Sequence, residues 1–254
     1  MVGTEIRFAG TACGAATTAN TDSITVTGAA GSVERLIVDQ SQGSLAPGAT
    51  VETAGTVSEI ELSVNLGDAG DQLELGGTPG ADLLVVGTKG ASFNGDTDLD
   101  VTFGALPSSV ELVGGAGSDV LSARGGYGTG QVFLGRVTLR GDDGDDTLDG
   151  SNLDDLVFGG PGADTALGNV GNDELRGETG NDKLSGQDGN DRLVGGTGAD
   201  TLLGGNQDDT LDAADGEADV EIHGQAGVDT AYYDAGLDPG PIAVENAVSG
   251  PPPP

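Results

Sequence analysis

The sequence predicts an all-β chain wound into a right-handed parallel β-roll, or β-solenoid, with a β-rich cap or small module at its N-terminal end. Three observations carry that prediction. A nine-residue period runs without insertion from 141 to 212. Glycine supplies 48 of the 254 residues, well above the usual share of about 7%. Aromatic residues make up only 3% and tryptophan is missing, so the core must be thin, built of small and medium aliphatics repeated along an axis.

The period comes first. Eight nonapeptides begin at Gly141, Gly150, Gly159, Gly168, Gly177, Gly186, Gly195 and Gly204. Their sixth position is always aspartate: Asp146, Asp155, Asp164, Asp173, Asp182, Asp191, Asp200 and Asp209. Their eighth is always apolar: Leu148, Val157, Ala166, Leu175, Leu184, Leu193, Leu202 and Leu211. Their fourth is glycine except at Leu153 and Gln207. Each x-apolar-x triplet reads as a very short strand with one side chain inward. The Gly-x-x-Gly-x-Asp half reads as a sharp turn visiting positive φ, which a Cβ resists. Strand, turn, strand and turn close a coil in 18 residues, so alternate loops stack on one edge. Asp146, Asp164, Asp182 and Asp200 share the first edge; Asp155, Asp173, Asp191 and Asp209 share the second.

A longer unit, apolar-x-apolar followed by x-Gly-x-x-Gly-x-Asp-x-apolar, occurs at 73–84, 110–121, 137–148 and 220–231. The second and third copies lie 27 residues apart, three nonapeptide units. The chain therefore divides into a β-rich region at 1–66, with β-prone runs at 23–27, 33–38 and 60–66, irregular solenoid coils at 67–140, the regular roll at 141–234 and a Pro-rich tail or linker at 235–254. Tyr232 and Tyr233, after the last copy, read as a cap over an open solenoid end. His223, the one histidine, reads as an exposed strand-end residue.

Charge narrows the function. Forty-two acidic residues face nine basic ones, a formal net charge of −33. Such a chain repels itself unless something neutralises it; it is either disordered or built for cations, and the spacing of the acids favours cations. Nucleic acid and anionic membranes need a basic surface that so few basic residues do not supply, and no stretch approaches the ~20 apolar residues of a spanning helix. Cys13 is alone and forms no intramolecular disulfide. No signal peptide is recognisable at Met1, and the tail ends Gly250-Pro251-Pro252-Pro253-Pro254, so an excised module of a longer protein is expected.

Stacked strands lie about 4.8 Å apart, and carboxylates repeated at that spacing need a cation between them. The loops offer only oxygen, carboxylate and carbonyl. That suits Ca²⁺, which takes six to eight oxygens, better than Mg²⁺, which demands octahedral geometry and keeps its water. Zn²⁺ would need Cys or His, and only Cys13 and His223 exist. Residues 141–212 hold 16 Asp, 2 Glu and 3 basic residues, a net −15. Three gaps on each edge give about six calcium ions, whose charge nearly cancels the block's. Without metal this segment should be largely unfolded, so that metal binding and folding are one event.

Residues 195–203 and 114–122 match the unit Gly-Gly-x-Gly-x-Asp-x-apolar-x in full. In this the chain resembles the RTX (repeats-in-toxin), or haemolysin-type, calcium-binding nonapeptide-repeat proteins. The resemblance implies that the eight sixth-position aspartates and Asp119 are calcium ligands. It adds carbonyl ligands from the first four loop positions, among them Gly159, Gly160, Gly162, Gly177, Gly180, Gly195, Gly196 and Gly198. Asp82 and Asp229 match the motif and are further candidate metal ligands, set apart from the others because they lack regular neighbours 18 residues away. Leu153 and Gln207 both fall on the second edge, which should bind less evenly. The resemblance also implies a secreted bacterial protein, in which the roll folds outside the cell and serves a structural or secretion-assisting role rather than catalysing a reaction.

Other readings need features the sequence does not display. A carbohydrate-binding or adhesion module, engaging extracellular polysaccharide or a cell surface, would need an exposed stripe of aromatic or basic residues, and none is visible. Ice binding needs a regular outward array, whereas the third positions of the first edge read Asp143, Pro161, Thr179 and Thr197. A polysaccharide-modifying β-helix enzyme would need its acids free, and here they sit in the ladder.

Overall fold

Alternation sets the architecture: the eighth residue of each nonapeptide is apolar and its neighbours tolerate water, so each repeat makes a strand with one face inward. The computed structural model describes residues 5–9, 23–27, 35–39, 61–65, 72–77, 79–92, 101–103, 107–126 and 129–253. Within them, strands form two sheets of eleven, and from 109 to 233 successive strands alternate between the sheets. The fold is a parallel β-roll. In the regular block each residue pairs with the one 18 further on, as Leu175 with Leu193 in the first sheet and Leu184 with Leu202 in the second. All eight eighth-position side chains are at most 1% exposed, and together they form the core between the sheets. The strands outrun the predicted triplet: Glu174–Thr179 and Lys183–Asp188 carry the ladder into the first three positions of the next loop.

The same two sheets take in the flanks. Glu5–Ala9, Arg35–Asp39 and Gln72–Gly76 are successive parallel rungs of the first sheet, and Ser23–Thr27 and Glu61–Asn65 of the second. At the other end Asn246–Ser249, inside the expected linker, pairs parallel with Thr230–Tyr233. Tyr232 and Tyr233 are therefore a rung with another rung beyond it, not the terminal cap the sequence suggests.

Two irregularities interrupt the stack. Gly90–Ser92 runs antiparallel between Leu83–Val86 and Val101–Phe103, turning three strands of the second sheet into a meander. Further on, Val110 pairs directly with Val137. Their 27-residue offset is thus one enlarged coil, not three units, and the enlargement lies in the loop after Val120–Ser122. That loop is large enough to fold inward. Phe133 fills the core there at 1% exposure, edge-on to Phe103 at 6.4 Å between ring centroids.

Candidate metal centre

The loops place every sixth-position aspartate inside the protein. All eight are at most 2% exposed. In each, Oδ1 accepts the backbone N–H of the equivalent residue in the preceding coil. On the first edge Asp146 N–H donates to Asp164 at 2.8 Å, Asp164 to Asp182 and Asp182 to Asp200, both at 2.8 Å. On the second, Asp155 donates to Asp173 at 2.7 Å, Asp173 to Asp191 and Asp191 to Asp209, both at 2.8 Å.

In six of the eight the other oxygen has no partner. Oδ2 of Asp119, Asp146, Asp164, Asp173, Asp182, Asp191, Asp209, Asp219 and Asp229 is buried with no hydrogen bond. A buried carboxylate oxygen left bare is costly unless a cation meets it. Burial accordingly pushes these acids above the ordinary 3.8, with Asp173, Asp182, Asp209 and Asp219 reaching about 7 and Asp119, Asp146, Asp164 and Asp191 about 6. Neighbouring ladder acids raise many of them further, as Asp155 and Asp191 do for Asp173.

A second ladder just outside shows what the charge is for. There the fifth-position side chain accepts a backbone N–H from the following coil: Asn172 N–H reaches Asp154 at 2.8 Å, Asn190 reaches Asn172 at 2.9 Å, and Asp208 reaches Asn190 at 3.0 Å. Asparagine and aspartate interchange at this position because only one acceptor oxygen is used. The sixth position makes the same kind of bond yet is aspartate in all eight repeats. Hydrogen bonding alone does not require the charge, and the bare Oδ2 is where it acts.

Glycine makes room for this arrangement at two positions. Gly177, first in its loop, has Asp182 Oδ2 and the Gly195 carbonyl where a Cβ would project, the carbonyl 2.5 Å from that point. Carboxylate and carbonyl oxygens from successive coils thus crowd one glycine face. Gly180, fourth in the same loop, has φ 132° and the Gly162 carbonyl oxygen where a Cβ would stand. Among the described residues no three His, Cys, Asp or Glu side chains converge on one point, so a cation here must draw on carbonyls as well. Buried anionic oxygens backed by carbonyls are a hard-cation donor set, and calcium fits it.

The structure also redraws which residues belong. Asp82 and Asp229, which lack neighbours at the regular 18-residue step, still join the ladders at other steps: Asp82 N–H donates to Asp119 at 2.7 Å and Asp209 N–H to Asp229 at 2.9 Å. Asp119 N–H donates to Asp146 across 27 residues. Asp219, which sequence reading missed, accepts Asp200 N–H at 2.8 Å. Its N–H goes on to Asp238 at 3.2 Å, and that of Asp229 to Glu245 at 2.9 Å. Asp155 differs from the rest. Its Oδ2 is held by the Ser151 N–H at 2.6 Å and the Ser151 hydroxyl at 3.0 Å, and its Oδ1 accepts from Val137. Of the two exceptional fourth positions, Gln207 adopts φ 75° and leaves Asp209 in place. Leu153 belongs to the loop of Asp155, where the second edge begins.

The family model of the RTX calcium-binding nonapeptide repeat (4 copies) matches residues 111–129, 134–157, 149–184, 158–192 and 185–217. No curated protein and no solved structure matches the chain.

Proposed function

We propose, from the premise that this chain is an RTX calcium-binding repeat protein, that its calcium ions drive its folding and that the folded roll serves as a structural, secretion-assisting module of an extracellular bacterial protein. One observation carries the reading: the row of buried Asp Oδ2 atoms without a hydrogen-bond partner. Asp119, Asp146, Asp164, Asp182 and Asp200 would hold calcium on the first edge, and Asp173, Asp191 and Asp209 on the second. Carbonyls of loop glycines such as Gly159, Gly160, Gly162, Gly177, Gly180, Gly195, Gly196 and Gly198 would complete the shells. Calcium supplies positive charge there and ties one coil to the next. Asp219 and Asp229 extend the series beyond the six gaps of the regular block.

At the 10⁻⁴–10⁻³ M calcium that extracellular modules use, the sites fill; in a low-calcium cell the acidic chain stays extended. A structural role is supported by the commitment of the buried acids to the ladders, which leaves none of them free for acid–base chemistry. The test is far-UV circular dichroism during calcium titration, with magnesium and chelator controls. A β spectrum that appears with calcium and collapses with chelator is expected. A spectrum indifferent to chelator overturns the coupling of folding to metal.

A further inference from the structure

The register of the first sheet creates a surface that the linear sequence hides. Arg140 pairs with Phe158 and Phe158 with Arg176, so these side chains form one outward column along the roll axis. The guanidinium carbons of Arg140 and Arg176 lie 5.7 and 5.9 Å from the Phe158 ring centroid, a cation–π stack with the ring between two cations. Arg136 and Arg192 are outward on the same face. Four of the chain's nine basic residues thus share one strip, against Glu174 and Asp212 on the same face and Asp142 and Asp154 at its margins. The outward face of the opposite sheet carries Lys183 as its one basic residue over the same coils, beside Asp149. Glu74 and Glu111 bound the strip at one end, where they pair in register with each other and then with Thr138. The expectation that no basic or aromatic stripe exists is therefore corrected: one is assembled by stacking from residues 36 positions apart.

We propose that this strip binds an acidic polysaccharide, a linear glycan bearing carboxylates, laid along the roll axis. Arg140 and Arg176 are two rungs apart, about 9.6 Å from strand spacing, a distance that one disaccharide spans. Each guanidinium is a planar fork suited to a carboxylate, and Phe158 holds the two apart and aligned. The strip is narrow and flanked by acidic loops. A thin glycan chain fits between them, whereas a duplex or a bilayer would meet the acids on both sides. The present partners of the arginines are exchangeable: Arg176 Nε donates to Glu174 at 2.9 Å, Arg140 lies 3.4 Å from Asp142 and Arg136 3.8 Å from Asp154, all at the surface, where such pairs hold weakly.

The proposal rests on the calcium-built roll, so the experiment reads folding separately. Polygalacturonate is titrated into the chain at saturating calcium, with neutral dextran and anionic phospholipid vesicles as comparison probes. Binding of polygalacturonate alone is expected, weakening with added salt. Arg140→Gln with Arg176→Gln should weaken it about tenfold or more, with the circular dichroism spectrum and calcium stoichiometry unchanged. Phe158→Leu should weaken it less, and Lys183→Gln on the opposite face not at all. Unaltered binding by the double arginine variant overturns the proposal, since glycan bridged through calcium would not notice those residues. So does equal binding of dextran, or preference for vesicles. A failed calcium-folding reading would show instead as a chelator-insensitive spectrum.

Discussion

The two loop edges of the roll are built from the same nonapeptide, yet they begin differently. The first edge runs as an aspartate ladder from Asp82 through Asp119 and Asp146 to Asp219, passing steps of 37, 27, 18 and 19 residues without a break. The second edge starts only at Asp155, because the enlarged loop around Phe133 occupies the place of the preceding rung. There Ser151 takes the oxygen that every later aspartate of that edge in the regular block leaves bare. The difference teaches that a metal seat is made by one loop stacked on another, not by the motif alone. Asp155 has the motif without a regular coil beneath it; Asp219 has the stack without the motif.

That contrast can be broken most severely at mid-ladder. Asp182→Ala with Asp191→Ala removes a bare oxygen from each edge and strips the buried N–H groups of Asp164 and Asp173 of their acceptors. Each stranded amide costs about 1–3 kcal/mol beyond the lost metal. Calorimetric titration should show fewer calcium ions bound, and an undiminished count would reject the ladder as the metal site. Next in size, Gly180→Ala meets both the Gly162 carbonyl and an unfavourable φ of 132°. The strain is about 1–3 kcal/mol, read as a higher calcium midpoint in circular dichroism.

A pH series has a smaller and graded effect. In the metal-free fold burial disfavours the charged form of the ladder acids and raises them from 3.8, Asp119 to about 6 and Asp173 and Asp182 to about 7. Raised carboxyls stabilise the metal-free fold fully below about pH 4, and that stabilisation is lost as pH rises through 6 to 7. Chelated chain should therefore gain β structure on acidification from pH 8 to 5, while calcium affinity falls over the same window as protons compete. The smallest change is expected at Asp155→Ala, which should leave the calcium count of the other sites intact. Ser151→Ala removes the hydroxyl bond but leaves the backbone N–H on Asp155 Oδ2, so calcium affinity at the start of the second edge should rise only slightly by isothermal calorimetry.

Much of this was legible because the period is rigid where coils are regular. The eight aspartates and eight core positions follow directly from nine-residue spacing. Asp219 was hidden because its coil carries an extra residue on either side of it. Val220 bulges out, 64% exposed, and both its N–H and that of Glu221 point to the Asp200 carbonyl. The signal that could have found it is the resumption of apolar-x-Gly register at Ile222 and Gly224 after a coil two residues too long. Phe133 and the reversed strand Gly90–Ser92 follow from how an oversized loop and a meander fill the core, which no local pattern encodes. The arginine strip was unreadable for a related reason: its members are neighbours only through the stacking of coils.

The hydrogen bonds of the inner ladder all point the same way, and that gives the molecule a direction. Every aspartate amide is completed by a side chain that comes later in the chain, never earlier. Each inner-ladder amide thus depends on the coil that follows it, while the outer ladder, from Asn172 to Asp154 and from Asn190 to Asn172, ties each coil to the one before. The last acceptors, Asp238 and Glu245, lie where no nonapeptide remains. Residues outside the nonapeptides thus supply the acceptors that the last ladder amides need.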